Sequence, residues 1–503
     1  MPHFETVEGR QILFVEGRPF TVLAVEIPWW DLIDGRHAET LQAYDHLYPA
    51  ARAMGLNALK VPIKWSMVEP EKGVFDFAYV DHAKAMAEKH DLKLVLNWFG
   101  HYASGDGNIY RNLTGELYVP LDIVRDEKTY PRAVDADGVA HHNAISYDDD
   151  AVIEREVAAF GAFMEHIRKI DVRTRTILMI QVENEIAVFG ADRQNRKLWR
   201  DHSPASDKAF AEKGFTEDLK YSAWRLSSNW IRRITDAGGE IYPVPFFLNY
   251  VGGKLADWMV GGAPGEDVAT YLENCPRIAF IGLNLYVPPE SSVNDFRAAL
   301  ARYRVSRNLA SITETNSDRG PVAPRLAYVA VGEFGAPIFA PWALNVSYPI
   351  PFQPYVLSDG ALAHGAAALR DTYNSLRAAL PQVTYYARTD KLKVFMSRLP
   401  GQKFSETQDV NGAKVVVSGE DNGQAIVIHP AQNEYLIMGF RCEVSLWSPM
   451  FGWPDLEKVR VERGRFNGVD WKAEGPAAEY GVNPTQKALF VYLDAAQVVR
   501  VHW

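Results

Sequence analysis

Eight short, almost wholly apolar runs punctuate the first three quarters of the chain, and longer stretches with helical spacing separate them. The runs are TVLAVEI (21–27), NALKVPI (57–63), LKLVLNWF (92–99), TILMIQVE (176–183), VPFFLN (244–249), IAFIGLNLY (278–286), LASITE (309–314) and APIFAPW (336–342). Hydrophobicity without alternation marks strands covered on both faces, as in a parallel sheet under helices. Between them, FAYVDHAKAMAEKH (77–90), DDAVIEREVAAFGAFMEHIRKI (149–170) and RLAYVAVGEF (325–334) repeat apolar residues three and four apart, and ALAHGAAALRDTYNSLRAAL (361–380) follows the eighth run. Eight β-then-α units predict an α/β fold, a (β/α)8 TIM barrel over residues 10–388. A doubly wound open sheet competes, but no G-x-G-x-x-G turn follows the first run. Two unrelated α/β domains meeting near residue 240 are the other alternative.

The texture changes near residue 388. KVVVSG, AIVIHP, YLIMGF, KVRVERG and ALFVYL are short runs separated by Gly, Asn, Asp and Pro, which predicts a smaller antiparallel β-sandwich over 389–503. Helix-like sequence follows the proline-rich SYPIPFQPYVLSDG (347–360), so that segment reads as a long loop above the barrel. Net charge is −10, and no run of Lys and Arg is long enough to track a phosphate backbone, so nucleic acid is an unexpected partner. No apolar stretch approaches the length of a membrane span. The N-terminus MPHFETVEGRQ lacks a basic start and an apolar core, so a cytoplasmic location is expected, or a periplasmic or secreted one if the chain is a processed form. Two cysteines, Cys275 and Cys442, are too few for a disulfide framework or a thiolate metal site. No cofactor or metal is expected. Oligomeric state is left open, and a homo-oligomer is compatible with the sequence.

In such a barrel, chemistry sits at the C-terminal strand ends. There the sequence sets Glu26, Trp65 and Glu69, then Asn97, Trp98 and His101. Glu183, Asn184 and Glu185 follow, then Asn249 and Tyr250, Asn284 and Tyr286, Glu314, and Trp342. Strands rarely finish in acid, because a dry carboxylate is costly unless paired. Two carboxylates across one mouth, ringed by amides and aromatic rings, suit hydrolysis of a glycosidic bond. One acid protonates the leaving oxygen while the other, ionised, meets the anomeric carbon. Amides bind hydroxyls and indoles stack on pyranose faces, so a small sugar or oligosaccharide is the expected substrate. Another barrel chemistry, or a sugar-binding protein without activity, fits the same pattern.

MGLNALKVPIKWSMVEPEKGVFDFAYVD (54–81), LKLVLNWFG (92–100), QVENEIAVFG (181–190) and SITETN (311–316) resemble the clan A glycoside hydrolases. The nearest likeness is to the family 35 and family 42-like β-galactosidases that carry a C-terminal β-domain. The resemblance implies a retaining, exo-acting enzyme releasing terminal β-D-galactosyl residues, with transglycosylation or another donor sugar (glucosyl, xylosyl, arabinosyl) as alternatives. It implies Glu185 as acid/base, Glu314 as nucleophile, Asn184 on the 2-hydroxyl, Tyr286 steadying the nucleophile and Trp342 under the sugar ring. Trp65, Trp98, Asn284 and the group Glu26, Glu69 and Asn97 complete the expected substrate contacts, the last three as candidates for the 4-hydroxyl. Glu183 reads as a buried carboxylate one pleat deeper, paired with a neighbouring donor. Glu333 competes as nucleophile, but its surroundings have helical spacing. VEIPWWDL after the first strand and HYASGDGNIYRNLTGELYVPLDI after the third depart from the group's usual loops, and the bulky PWW suggests a narrowed pocket.

Overall fold

The computed structural model describes residues 1–28, 44–101, 118–189, 196–252, 267–317, 320–345, 354–447, 458–467, 470–476, 479–483 and 488–503. Trp29 and Trp30 of the PWW stretch, most of the loop after the third strand, and residues 346–353 of the proline-rich stretch lie outside these ranges.

Strands β1 (Val22–Leu23), β2 (Ala58–Lys64), β3 (Lys93–Phe99), β4 (Ile177–Val182), β5 (Phe246–Gly252), β6 (Ile278–Leu285), β7 (Ile312–Thr315) and β8 (Ile338–Phe339) form one parallel sheet in the order β1-β8-β7-β6-β5-β4-β3-β2. Bonds from Asn57 N to Leu23 O (3.1 Å), Lys60 N to Val25 O (3.2 Å) and Ile27 N to Lys60 O (2.9 Å) join its two edges and close the barrel. A helix follows each strand: α1 (Leu47–Ala53), α2 (Ala78–Lys89), α3 (Asp150–Asp171), α4 (Asp218–Arg225), α5 (Val268–Asn274), α6 (Val293–Tyr303), α7 (Val322–Ala327) and α8 (Ala366–Arg377). α4 runs on through a π turn (Leu226–Ile231) into Arg232–Ile241, and α7 through a second (Tyr328–Glu333). α3 shows why sequence dictates helix here. Asp149 caps it by accepting from Ala151 N, and Val152, Glu156, Ala159, Phe160, Phe163 and Ile167 make one buried stripe, with Phe160 and Phe163 on Trp98 of β3 and Phe160 on Phe246 of β5.

Inside the barrel, strand periodicity stacks the chemistry in layers. Val22, Ala24, Ala58, Val95, Met179, Phe247, Phe280 and Ile338 fill the N-terminal end as one apolar plug, joined by Leu13 and Val15 of the N-terminal hairpin. Two residues further along, β2 presents Lys60, β3 Asn97, β4 Gln181 and β5 Asn249. An apolar floor thus carries a polar layer. Register breaks in the β6–β7 pairing, with Leu283 opposite Ile312 but Asn284 opposite Glu314, place Thr313 and Glu314 both at the site.

After α8 the chain enters a nine-stranded antiparallel sheet. KVVVSG and AIVIHP, read as separate runs, are one strand, β9 (Ala413–Ala431), bent where its register breaks between Gly419 and Gln424 against β10 (Glu434–Trp447). The bend folds the sheet onto itself. Val394, Ile426, Ile428, Leu436 and Met438 extend the barrel's own core, while the alternate residues Phe395, Ala425, Val427, Tyr435 and Ile437 enclose a second one. This half-sheet is covered on both faces, which is why its sequence looks apolar throughout. No helix among the described residues is long and apolar enough to cross a membrane.

Candidate active site

Lys60 and Glu26 are wholly buried, and the ammonium lies 2.5 Å from Glu26 Oε2, 3.7 Å from Glu314 Oε1 and 3.3 Å from Thr313 O. Lys60 was not among the residues expected at the site. Its signal was present: a lysine in the middle of the apolar run NALKVPI has no reason to be there unless a carboxylate awaits it. Asn97 Nδ2 donates to the other oxygen of Glu26 at 3.1 Å. Burial, opposed by Lys60, raises Glu26 to about 7, with the Glu314 charge adding to the rise.

Glu314, at the end of β7, gathers donors. Tyr286 Oη donates to Oε2 at 2.7 Å and Asn249 Nδ2 lies 3.2 Å from Oε1. Burial pushes its carboxyl up, and Lys60 and Tyr286 pull it back. Glu185 has a poorer set, with Asn284 Nδ2 donating to Oε1 at 2.6 Å. Burial first and the Glu314 charge second raise Glu185 to about 8. The two acids are therefore set apart, Glu185 holding its proton at neutral pH and Glu314 the better stabilised anion. Tyr286 is pushed well up by burial and then by the Glu314 charge, so it stays a phenol that donates.

Amides lock the arrangement. Asn249 Oδ1 accepts from Glu185 N (2.9 Å), and its Nδ2 reaches Asn184 Oδ1 (2.8 Å) and Asn284 Oδ1 (3.3 Å). Thr313 Oγ1 donates to Asn284 Oδ1 at 2.8 Å, which turns the Asn284 amide hydrogens toward Glu185. Asn184 Oδ1 also accepts from Gln181 Nε2 at 3.1 Å, so its NH2 remains to donate outward. Gln181, Asn249 and Thr313 were not among the substrate contacts assigned from the sequence; all three hold the residues that were. Trp342 is buried, bridged in parallel register to Glu26 and to Asn316, and so stands beside the acids.

Other expected contacts go elsewhere. Trp98 follows inward-facing Asn97, so the pleat turns it outward. Its ring packs on Phe160 and Phe163 of α3, and its indole donates to Glu156 at 2.9 Å. Trp65 donates to Glu69 at 2.8 Å, and Glu69 also accepts from Gly73 N. Those two residues brace the loop after β2 and do not join the cluster. His101 is buried between Tyr147 and Trp230 and held neutral, pushed down to about 3 by burial. Glu333 is gripped by Arg297 at 2.8 and 2.6 Å on the helical side of β7, away from the other acids. Glu183 is the buried, donor-paired carboxylate expected from the sequence: it accepts at 3.0 Å from the N of Gly100, just after β3, and with a φ of +69° it lies beside Glu156 of α3 and outside the acid cluster of Glu26, Glu185 and Glu314. Among the described residues no group of three or more His, Cys, Asp or Glu has the geometry to hold a metal ion.

No protein-family model matches the chain, and no curated sequence matches it. Solved structures do. A β-galactosidase from the psychrophilic Marinomonas ef1 superposes with a TM-score of 0.50 at 12% identity, over 71% of this chain and 60% of that one. The catalytic domain of a β-amylase from Paenibacillus polymyxa gives 0.52 at 10% identity, over 70% of this chain and 97% of that domain. The chain thus spans less than two thirds of the Marinomonas enzyme. At these identities the likeness establishes the (β/α)8 fold, in agreement with the strand order.

Proposed function

We propose that the protein is a retaining β-glycoside hydrolase acting from the non-reducing end, with Glu314 as nucleophile and Glu185 as acid/base. One observation carries this: two acids at the ends of β4 and β7 are both pushed up by burial but stabilised unequally, Glu185 raised to about 8 while Glu314 is supplied with a phenol, an amide and an ammonium that favour its anion. Protonated Glu185 gives its proton to the glycosidic oxygen as that bond breaks, while the Glu314 carboxylate bonds to the anomeric carbon. Glu185, now ionised, takes a proton from water, whose oxygen displaces Glu314 and restores both groups. Asn184, with its NH2 presented, suits the equatorial 2-hydroxyl.

A terminal β-D-galactosyl residue is the proposed donor, resting on the resemblance of the sequence to the family 35 and family 42-like β-galactosidases; the W-x-x-x-E-P-x-x-G-x-F-D-F and Q-V-E-N-E motifs support the glycosidase and do not choose the sugar. The axial 4-hydroxyl needs its own partner, and the Glu26–Lys60–Asn97 group lies beside the nucleophile with polar atoms to supply one. A panel of p-nitrophenyl β-galactoside, β-glucoside, β-xyloside, β-mannoside and α-arabinoside tests both levels. The β-galactoside should turn over fastest. Equal rates across the panel would remove the galactosyl assignment, and no turnover of any member would remove the glycosidase.

A further inference from the structure

Behind the catalytic strand end lies a second acid pair that the reaction does not use. Glu183 from the end of β4 and Glu156 from α3 are both buried. Glu156 accepts Trp98 Nε1 on one oxygen (2.9 Å) and Trp230 Nε1 on the other (2.7 Å). Glu183 Oε2 accepts Gly100 N, whereas buried Oε1 meets no donor among the described residues. That oxygen faces Glu156 instead. A Cβ on Gly100 would stand 2.0 Å from Glu156 Oε1 and 2.8 Å from Glu183 Oε1, so the two oxygens crowd under a position that tolerates no side chain.

The surrounding elements bring no compensating cation. β3 offers Trp98 and Gly100 N, and the residue after it is neutral His101. α4 offers Trp230, and Tyr147 donates to Gly100 O. Arg155, adjacent to Glu156 on α3, turns away to Asp122 and Glu69. Two facing carboxylates in a dry pocket repel strongly; one proton between them turns the repulsion into a short hydrogen bond. The same segment is strained, with Glu183 at φ +69° and Glu185 at +47°, left-handed values that a non-glycine residue keeps only when its surroundings enforce them.

We propose that Glu156 and Glu183 share one proton, and that this proton pins the strand-end turn that aims Asn184 and Glu185 at the substrate. Both acids are then positioning residues; the catalytic half of the proposal rests on the glycosidase reading, and the proton itself does not. The folded chain holds a proton that the unfolded chain releases, so this contribution to stability is complete at low pH and is lost as pH rises through the folded-state value.

Glu183→Gln separates the possibilities, because its amide donates to Glu156 at every pH while its oxygen still accepts from Gly100 N. Tm and kcat/KM on an aryl β-glycoside are measured for the wild type and the variant from about pH 6 to about pH 9. The wild-type fall in Tm over that range should shrink by half or more. At the acid end kcat/KM should stay within about threefold of wild type, and the alkaline limb should change from a two-proton to a one-proton slope. Parallel Tm curves would overturn the shared proton. A flattened Tm curve with an unchanged alkaline slope would overturn the positioning role. A wild type inert on every glycoside would remove the proposed function and leave the Tm comparison decisive for the proton. Should Glu183→Gln not fold, Glu156→Gln is read by Tm alone. It also removes one carboxyl of the pair, so the fall in Tm should shrink likewise, although its amide sets an N–H against one indole N–H and lowers Tm at every pH. A curve parallel to wild type would overturn the shared proton.

Discussion

Lys60 is the cation among the described residues that pairs with Glu26 and Glu314, and both partners are desolvated. Replacing it by Met leaves two carboxylates facing each other without a counter-charge. Breaking a buried pair in this way costs about 3–5 kcal/mol, so Lys60→Met should lower Tm sharply and drop kcat at least about a hundredfold. Retained activity would show that Glu314 does not need the ammonium. In the proposed mechanism Glu185 sets the pH response. Raised to about 8, it is the acid that must be protonated, so kcat/KM should fall on the alkaline side of about 8. In Glu185→Ala, substrates with good leaving groups should keep much of their rate while natural disaccharides lose theirs, because only the latter need protonation. Equal losses on both would count against Glu185 as the acid. The same raised values carry a stability sign. Glu26 and Glu185 bind protons in the folded chain that the unfolded chain gives up, so their contribution fades as pH rises through 7 and 8.

At the scale of elements, the barrel strands were legible because burial on both faces writes itself as unbroken hydrophobicity, and α3 because its stripe and Asp149 cap leave little choice. Site residues were legible where strand ends and pleat agree, as for Asn97, Asn284 and Tyr286. They were not where geometry departs from the pleat. Nothing in QVENE announces two left-handed residues, and nothing in SITET announces the register break that admits both Thr313 and Glu314. Trp98 could have been excluded from sequence alone, since Asn97 and Trp98 cannot share a face. KVVVSG and AIVIHP looked like two strands because the bend at 419–424 carries the Gly, Asp and Asn of a turn. Tight packing between elements yields its own test at Gly332 in the π turn after α7. A Cβ there would stand 2.7 Å from Val394 Cγ2 and 3.0 Å from Ile426 Cδ1, both in the C-terminal sheet. Gly332→Ala should destabilise by about 1–3 kcal/mol without changing KM, read from denaturant unfolding beside steady-state kinetics. An unchanged midpoint would mean that helix and sheet separate readily.

For the whole molecule, the apolar core runs without interruption from the barrel into the C-terminal sheet. Buried Arg325 of α7 fastens the seam by donating to Ser291 O, Ser397 O and Arg398 O. Thermal unfolding should accordingly be a single transition, and a chain cut near residue 388 should expose the face carrying Val394, Ile426 and Leu436 and aggregate; two well-separated calorimetric peaks would mean independent units. That continuity leaves the barrel mouth as the place where Glu185, Glu314, Tyr286 and the amide network meet, and the proposed chemistry turns on which oxygen takes a sugar. Incubation with a 2-deoxy-2-fluoro β-galactoside bearing a good leaving group slows release more than attachment, so the bound sugar can be located by peptide mass spectrometry. One fluorosugar per chain, on the peptide containing Glu314 and absent from Glu314→Gln, is the expected result. A label on Glu26 or Glu185, or steady hydrolysis with no covalent sugar at all, would contradict it.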